Sequence, residues 1–107
     1  ANWPLKHLPN AISTPELNIK MNEGEPHALV AKLQKSGQFP TARELITIDG
    51  VRAEYADGFG LVRASNTTPV VVLRFEADTK KALRRIQAEF KVALKDVWPG
   101  INTDFGG

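Results

Sequence analysis

The chain of 107 residues predicts an α+β sandwich: an antiparallel sheet of about four strands with two helices on one face. Three observations carry this expectation. Short apolar segments with period-two alternation, separated by Asp-Gly dipeptides, fill the middle of the sequence. Leu83, Ile86, Phe90, Leu94 and Val97 recur at spacings of three and four, one stripe of an amphipathic helix. The element order is strand, helix, several antiparallel strands, helix, with no internal repeat.

Taken in order, Leu17, Ile19 and Met21 alternate with Asn18 and Lys20 after Ser13-Thr14-Pro15, a half-buried strand. Glu23-Gly24-Glu25-Pro26 opens a helix, with acid near its start and proline in the first turn. Leu29, Val30 and Leu33 are its apolar stripe, Gly37 its stop, and 36–43 a polar loop. Leu45-Ile46-Thr47-Ile48 should meet Val51-Arg52-Ala53-Glu54-Tyr55 across a two-residue Asp49-Gly50 turn. Asp57-Gly58 marks a second reversal into Phe59–Arg63. Val71, Leu73, Phe75 and Ala77 form the core face of the next strand, opposite Val70, Val72, Arg74 and Glu76. Asp78 or Thr79 caps the last helix, Lys80, Arg84, Lys91 and Lys95 form its solvated face, and Pro99-Gly100 ends it. Residues 1–11 are expected to be a linker region and 101–107 a mobile tail.

Composition bounds the function. One domain fits this length, and 42% apolar with 24% charged residues is ordinary for a folded chain. A net charge of +2 licenses no claim on nucleic acid or membrane. With no cysteine, disulfide scaffolds, thiol catalysis and cysteine metal sites are excluded. No apolar run is long enough to span a bilayer. The expectation is a cytoplasmic, monomeric protein. The first residue is Ala1 rather than Met, as in a piece cut from a longer polypeptide or in a processed chain.

The densest chemistry lies in Leu61-Val62-Arg63-Ala64-Ser65-Asn66-Thr67-Thr68-Pro69, directly before the apolar strand from Val70. By residue type alone, two readings stay open. Ser, Asn, Thr and Pro are common turn residues, with Arg63 a solvated charge. The same residues are also donors suited to phosphate oxygens: a two-pronged guanidinium, a carboxamide and three hydroxyls. Catalytic machinery is not apparent. His7 and His27 stand at no metal-ligand spacing and read as surface or partly packed imidazoles. Ser13 and Ser65 have no local base, and Asp49 and Asp57 are explained by turns. Asp57-Gly58-Phe59-Gly60-Leu61-Val62 is similar to the aromatic-bearing strand of RNA-recognition modules. Asp57 nevertheless holds the basic position, Leu61 and Arg63 replace stacking rings, and no strand follows the last helix.

Four segments together resemble one family. Ser13-Thr14-Pro15-Glu16 with Asn18 and Ile19, Asp49-Gly50-Val51-Arg52, Gly60 through Pro69, and Leu73-Arg74-Phe75-Glu76-Ala77 occur in the order found in the C-terminal domain of α-D-phosphohexomutases. The bacterial phosphomannomutase/phosphoglucomutase branch is the most similar; related phosphoglucosamine mutases typically carry Gly and Glu where this chain has Asn66 and Thr68. Phe59 stands where Trp is frequent in the family. The resemblance spans about residues 12–97 and implies a TATA-box-binding-protein-like domain, the last of four. It further implies that magnesium, an active-site phosphoserine and the general acid/base lie in the preceding domains, with no cofactor, metal or catalytic residue in this chain. Carried over by position, Arg63, Ser65, Asn66 and Thr67, with Thr68 a weaker candidate, would grip the non-transferred phosphate of a hexose 1-phosphate, 6-phosphate or 1,6-bisphosphate. The implied partners are the phosphosugar and the other three domains. The competing expectations are a free-standing phosphosugar-binding module and a protein-interaction module presenting Val70, Val72 and Tyr55.

Overall fold

In a computed structural model the described residues are 11–103. Eight elements follow one another: β1 (Ile12–Ser13), β2 (Leu17–Lys20), α1 (Glu25–Ser36), β3 (Glu44–Ile46), β4 (Val51–Tyr55), β5 (Gly58–Ala64), β6 (Val70–Ala77) and α2 (Lys80–Val97). All strand pairs are antiparallel, in the order β1-β6-β5-β4-β3, with β2 also on β6. Both helices pack on one face, so the α+β sandwich expected above is the observed fold.

The sheet is wider than the count of about four, and Pro15 is part of the reason. Proline donates no ladder hydrogen bond and is tolerated at sheet edges. Here it splits the edge strand into β1, registered Ile12↔Ala77, and β2, registered Leu17↔Leu73, a one-residue offset. Thr14 bridges the gap: its N–H donates to the Phe75 carbonyl at 3.0 Å and its hydroxyl accepts from Phe75 N–H at 3.3 Å. β1 and β2 therefore share the outer side of β6, and the six segments occupy five positions.

Period-two alternation buries Val51, Ala53 and Tyr55 from β4, Val62 from β5, and Val71, Leu73, Phe75 and Ala77 from β6. Against them pack Leu29, Val30 and Leu33 of α1 and Ala82, Ile86, Phe90, Ala93 and Leu94 of α2. Thr79 caps α2, its hydroxyl accepting from Ala82 N–H at 3.0 Å. Phe90 is the hub. Its ring centroid lies 5.2 Å from that of Phe75, edge on, and 4.7 Å from that of Phe39, tilted. Phe39 lies in the loop expected to be polar, yet is 7% exposed.

Two turns differ from expectation in register. β3 and β4 pair Ile46↔Arg52, so the connection runs through 47–50 and Asp49-Gly50 does not form a two-residue turn. The Gln34 carboxamide holds this wider loop by donating to the carbonyls of Thr47 (3.0 Å) and Gly50 (3.1 Å). Gly50 has φ 142° and passes so close to the Val62 carbonyl that a side chain there would clash. The second reversal pairs Tyr55↔Gly58 around Ala56-Asp57, one residue earlier than expected.

That turn is tied to α2. Both terminal guanidinium nitrogens of Arg85 donate to Asp57, at 2.8 and 2.7 Å. Arg85 Nε is buried without a hydrogen-bond partner, while the guanidinium lies 5.6 Å from the Tyr55 ring centroid. Tyr55 O–H donates to Glu89 at 3.0 Å, and burial, then the neighbouring carboxylate, pushes the phenol well above its ordinary pKa. At the far end, Lys32 lies over the Trp98 ring at 5.1 Å, and Ile101, in the segment expected as a tail, is 7% exposed in the core. Residues 104–107 of that tail and 1–10 of the expected linker lie outside the described residues.

Two predictions follow from this packing. A Cβ at Gly60 would run into the Phe90 ring, 2.7 Å from its Cζ. Gly60→Ala is expected to lose about 1–3 kcal/mol in urea unfolding, as overpacked cores do. The Arg85 hydrogen bonds hold the Asp57 carboxyl below its ordinary value of 3.8. A folded pKa below the unfolded one stabilises above the unfolded value, and the contribution disappears as pH falls through the folded value. Asp57→Asn should therefore cost up to about 1 kcal/mol at pH 7, the pair being about a third exposed, with the gap to wild type closing as the pH falls below the ordinary carboxylate value and through the depressed folded one.

Candidate functional site

The β5–β6 hairpin positions the polar segment. Its register, Val62↔Leu73, Arg63↔Val72 and Ala64↔Val71, sends Val62 to the core and Arg63 to the opposite face. Ser65 N–H closes the hairpin on the Val70 carbonyl at 3.0 Å, leaving Asn66–Pro69 as the loop. A second tether, Met21 N–H to the Pro69 carbonyl at 2.9 Å, joins the loop to the end of β2. Because α1 starts four residues later at Glu25, this tether brings the first turn of the helix beside the loop.

Ser65 organises the loop interior. Its Oγ accepts from the backbone N–H of Thr67 (3.3 Å) and Thr68 (3.4 Å), and the hydroxyls of both threonines lie 3.3 and 3.4 Å from the same oxygen. These are long contacts among exposed hydroxyls, which an anion can replace with shorter, charge-assisted bonds. Ser65, Asn66, Thr67, Thr68 and Pro69 line one wall of a 120 Å³ concavity whose other wall is Glu23, Gly24, Pro26 and His27.

Arg63 stands apart from the hydroxyls. It lines a neighbouring 260 Å³ concavity with Asn66, His27, Gln34 and Asp49. Its Nη2 is 3.9 Å from Glu16 Oε2, and the two side chains are 44% and 52% exposed, a loose pair that restrains the guanidinium little. Ser65, Asn66, Thr67 and Thr68 are thus gathered into one hollow, with Asn66 shared between it and the hollow of Arg63.

Glu23, Gln34 and His27 enter the site without having been expected there. No local signal in the sequence pairs His27 with Asn66; the strand register at Lys20↔Val70 and the Met21–Pro69 tether bring them together. The interaction surface of Val70, Val72 and Tyr55 is not formed. Tyr55 is 6% exposed and faces α2, on the opposite side of the sheet from Val72, itself 5% exposed. Alternation in β4 decides this, since Tyr55 shares its parity with buried Val51 and Ala53. Among the described residues no group of three or more acidic or imidazole side chains is placed to hold a metal ion, and no helix is long and apolar enough to cross a membrane.

Removing the Ser65 hydroxyl should release the loop without unfolding the domain. For Ser65→Ala, amide hydrogen exchange at Thr67 and Thr68 is expected to quicken several-fold, while global stability changes by less than about 1 kcal/mol.

Comparison with known proteins bears on the family and the fold. The family described as phosphoglucomutase/phosphomannomutase, C-terminal domain, matches residues 16–93. A phosphoglucomutase of Neisseria meningitidis serogroup B is 53% identical over 100 residues, covering 89% of this chain and 22% of the relative. A phosphomannomutase/phosphoglucomutase of Pseudomonas syringae pv. tomato is 53% identical over 98 residues, covering 92% of this chain and 21% of the relative. The crystal structure of a phosphoglucomutase/phosphomannomutase family protein from Burkholderia thailandensis superposes with a TM-score of 0.79 at 56% identity, covering 89% of this chain and 19% of that one. The chain thus spans about a fifth of the length of these relatives, and by sequence and fold alike it belongs to the phosphoglucomutase/phosphomannomutase family, as a C-terminal domain.

Proposed function

We propose that this chain is the substrate-phosphate-binding lid of a phosphohexomutase, an isomerase that interconverts hexose 1-phosphates and 6-phosphates through intramolecular phosphoryl transfer. Arg63, Ser65, Asn66, Thr67 and Thr68 grip the phosphate that is not being transferred. The observation that carries the proposal is the gathering of Ser65, Asn66, Thr67 and Thr68 on one wall of an open concavity, with Arg63 two residues before Ser65 in the neighbouring hollow. Among the described residues Arg63 is held by a loose ion pair with Glu16, so its guanidinium can turn onto a bound phosphate and supply two parallel donors.

A sugar bisphosphate that reorients between two transfers presents a phosphate to the same pocket in either orientation. Donors that read phosphate oxygens rather than ring hydroxyls serve both halves of such a reaction. Each charge-assisted bond stabilises the complex by about 1.5–3 kcal/mol where water is partly excluded, and by less on an open surface. Closure of the lid over the substrate excludes water and fixes the phosphate, which is how a binding domain raises a rate. Magnesium and the phosphoserine belong, in this proposal, to the rest of the polypeptide. The chain alone is expected to bind phosphosugars without turning them over.

The test is a two-dimensional amide NMR titration with glucose 1-phosphate, with glucose as control. Saturable shifts confined to Val62–Pro69, with phosphosugar only and a Kd on the order of 1 mM (about −4 kcal/mol), are expected. Arg63→Ala should weaken this binding at least about tenfold, the scale of one charged hydrogen bond, with the amide spectrum otherwise unchanged. Equal shifts with glucose, or full affinity in Arg63→Ala, would sink the proposal.

A further inference from the structure

We propose that His27 is a further substrate-binding residue of this domain, closing the phosphate site from α1 through an imidazole N–H donated to the phosphate. The inference rests on the reading of Arg63–Thr68 as a phosphate grip and adds to it a residue from a different element. His27 and Asn66 are the two residues that line both concavities, the 120 Å³ hollow of the hydroxyls and the 260 Å³ hollow of Arg63. The two hollows are therefore neighbouring parts of one groove, with His27 facing Asn66 across its waist. A phosphate held by the loop hydroxyls of the first hollow would lie against the imidazole, and the Arg63 guanidinium, which rests near Glu16, would reach it from the second hollow by turning past Asn66.

The surroundings favour this role over a structural one. His27 is exposed and makes no hydrogen bond or ion pair with another described residue, so its ring nitrogens are not committed to holding the fold. Its neighbours on α1 that anchor the helix are Pro26, Leu29 and Val30, all buried. The groove also carries carboxylates, Glu23 in the first hollow and Asp49 in the second, while Gln34 is engaged with the carbonyls of Thr47 and Gly50. Among the described residues, Arg63 is the sole guanidinium or ammonium side chain lining either hollow. A second nitrogen donor opposite it offsets the repulsion that these carboxylates exert on an incoming phosphate.

The experiment follows the amide and imidazole resonances of the chain during titration with glucose 1-phosphate and, separately, inorganic phosphate, in wild type, His27→Ala, His27→Gln and Glu23→Gln. Expected are a shift of the His27 ring signals at the same Kd as the loop amides, a loss of about 3- to 10-fold in affinity for both ligands in His27→Ala, partial recovery in His27→Gln and tighter binding in Glu23→Gln. Loop shifts with a static His27 ring, and a His27→Ala affinity within twofold of wild type, would overturn the inference and leave the loop grip standing. Weakening for glucose 1-phosphate alone would also overturn it, because the imidazole would then be reading the sugar. No loop shifts in wild type would overturn the grip itself and this extension with it. Misfolding of His27→Ala would show in its amide spectrum, and His27→Gln then supplies the comparison.

Discussion

The register between β5 and β6 is the constraint on which the rest of the domain depends. It runs unbroken from Gly58↔Ala77 to Ala64↔Val71, and side chains along a strand alternate strictly between faces. One alignment therefore sends Val62, Leu73 and Phe75 towards the helices, turns Arg63 away from them, and brings Ser65 N–H onto the Val70 carbonyl at the hairpin end. A slip of one residue would expose the core and bury the arginine. Packing protects this alignment where Gly60 leaves room for the Phe90 ring, which a larger residue in the slipped register would fill.

The two ends of the sheet are built to different purposes. At the Ala56-Asp57 turn, charged groups clamp α2: Arg85 on Asp57, and Glu89 on Tyr55 and Thr41. The pairs of Arg85 with Asp57 and of Glu89 with Tyr55 are partly shielded, and they fix the helix against the hairpin. At the opposite end, around Ser65–Pro69, the side-chain contacts are long, exposed and all made to the Ser65 hydroxyl. Under the proposed phosphate-binding role, such a site needs donors whose present partners are weak, and a rigid sheet beneath them keeps the cost of ordering the loop small.

Much of this was legible in the residues themselves. The stripe from Leu83 to Val97, the alternation of Val71, Leu73, Phe75 and Ala77, and the Thr79 cap are local patterns read at their own periods. The polar segment was legible as a loop with phosphate-type donors because all its members are neighbours in the chain. What escaped depended on contacts between distant segments. Asp49-Gly50 looks like a tight turn, but Gln34 and the approach of Gly50 to β5 impose a wider one. Phe39 and Ile101 looked like loop and tail residues until the core offered each a place.

The chain's own order of residues determined the α+β class, the elements and their core faces, and the donor set of the site, because helix and strand periodicity and side-chain chemistry are properties of neighbours. Tertiary structure alone decided that the wall opposite the loop would be the first turn of α1, with His27 and Glu23, and that Arg63 would stand in a second hollow joined to the first at Asn66. Those placements come from β2 lying on β6 and from Met21 holding Pro69. Such pairings join residues far apart in sequence, and no local pattern specifies where two distant segments meet.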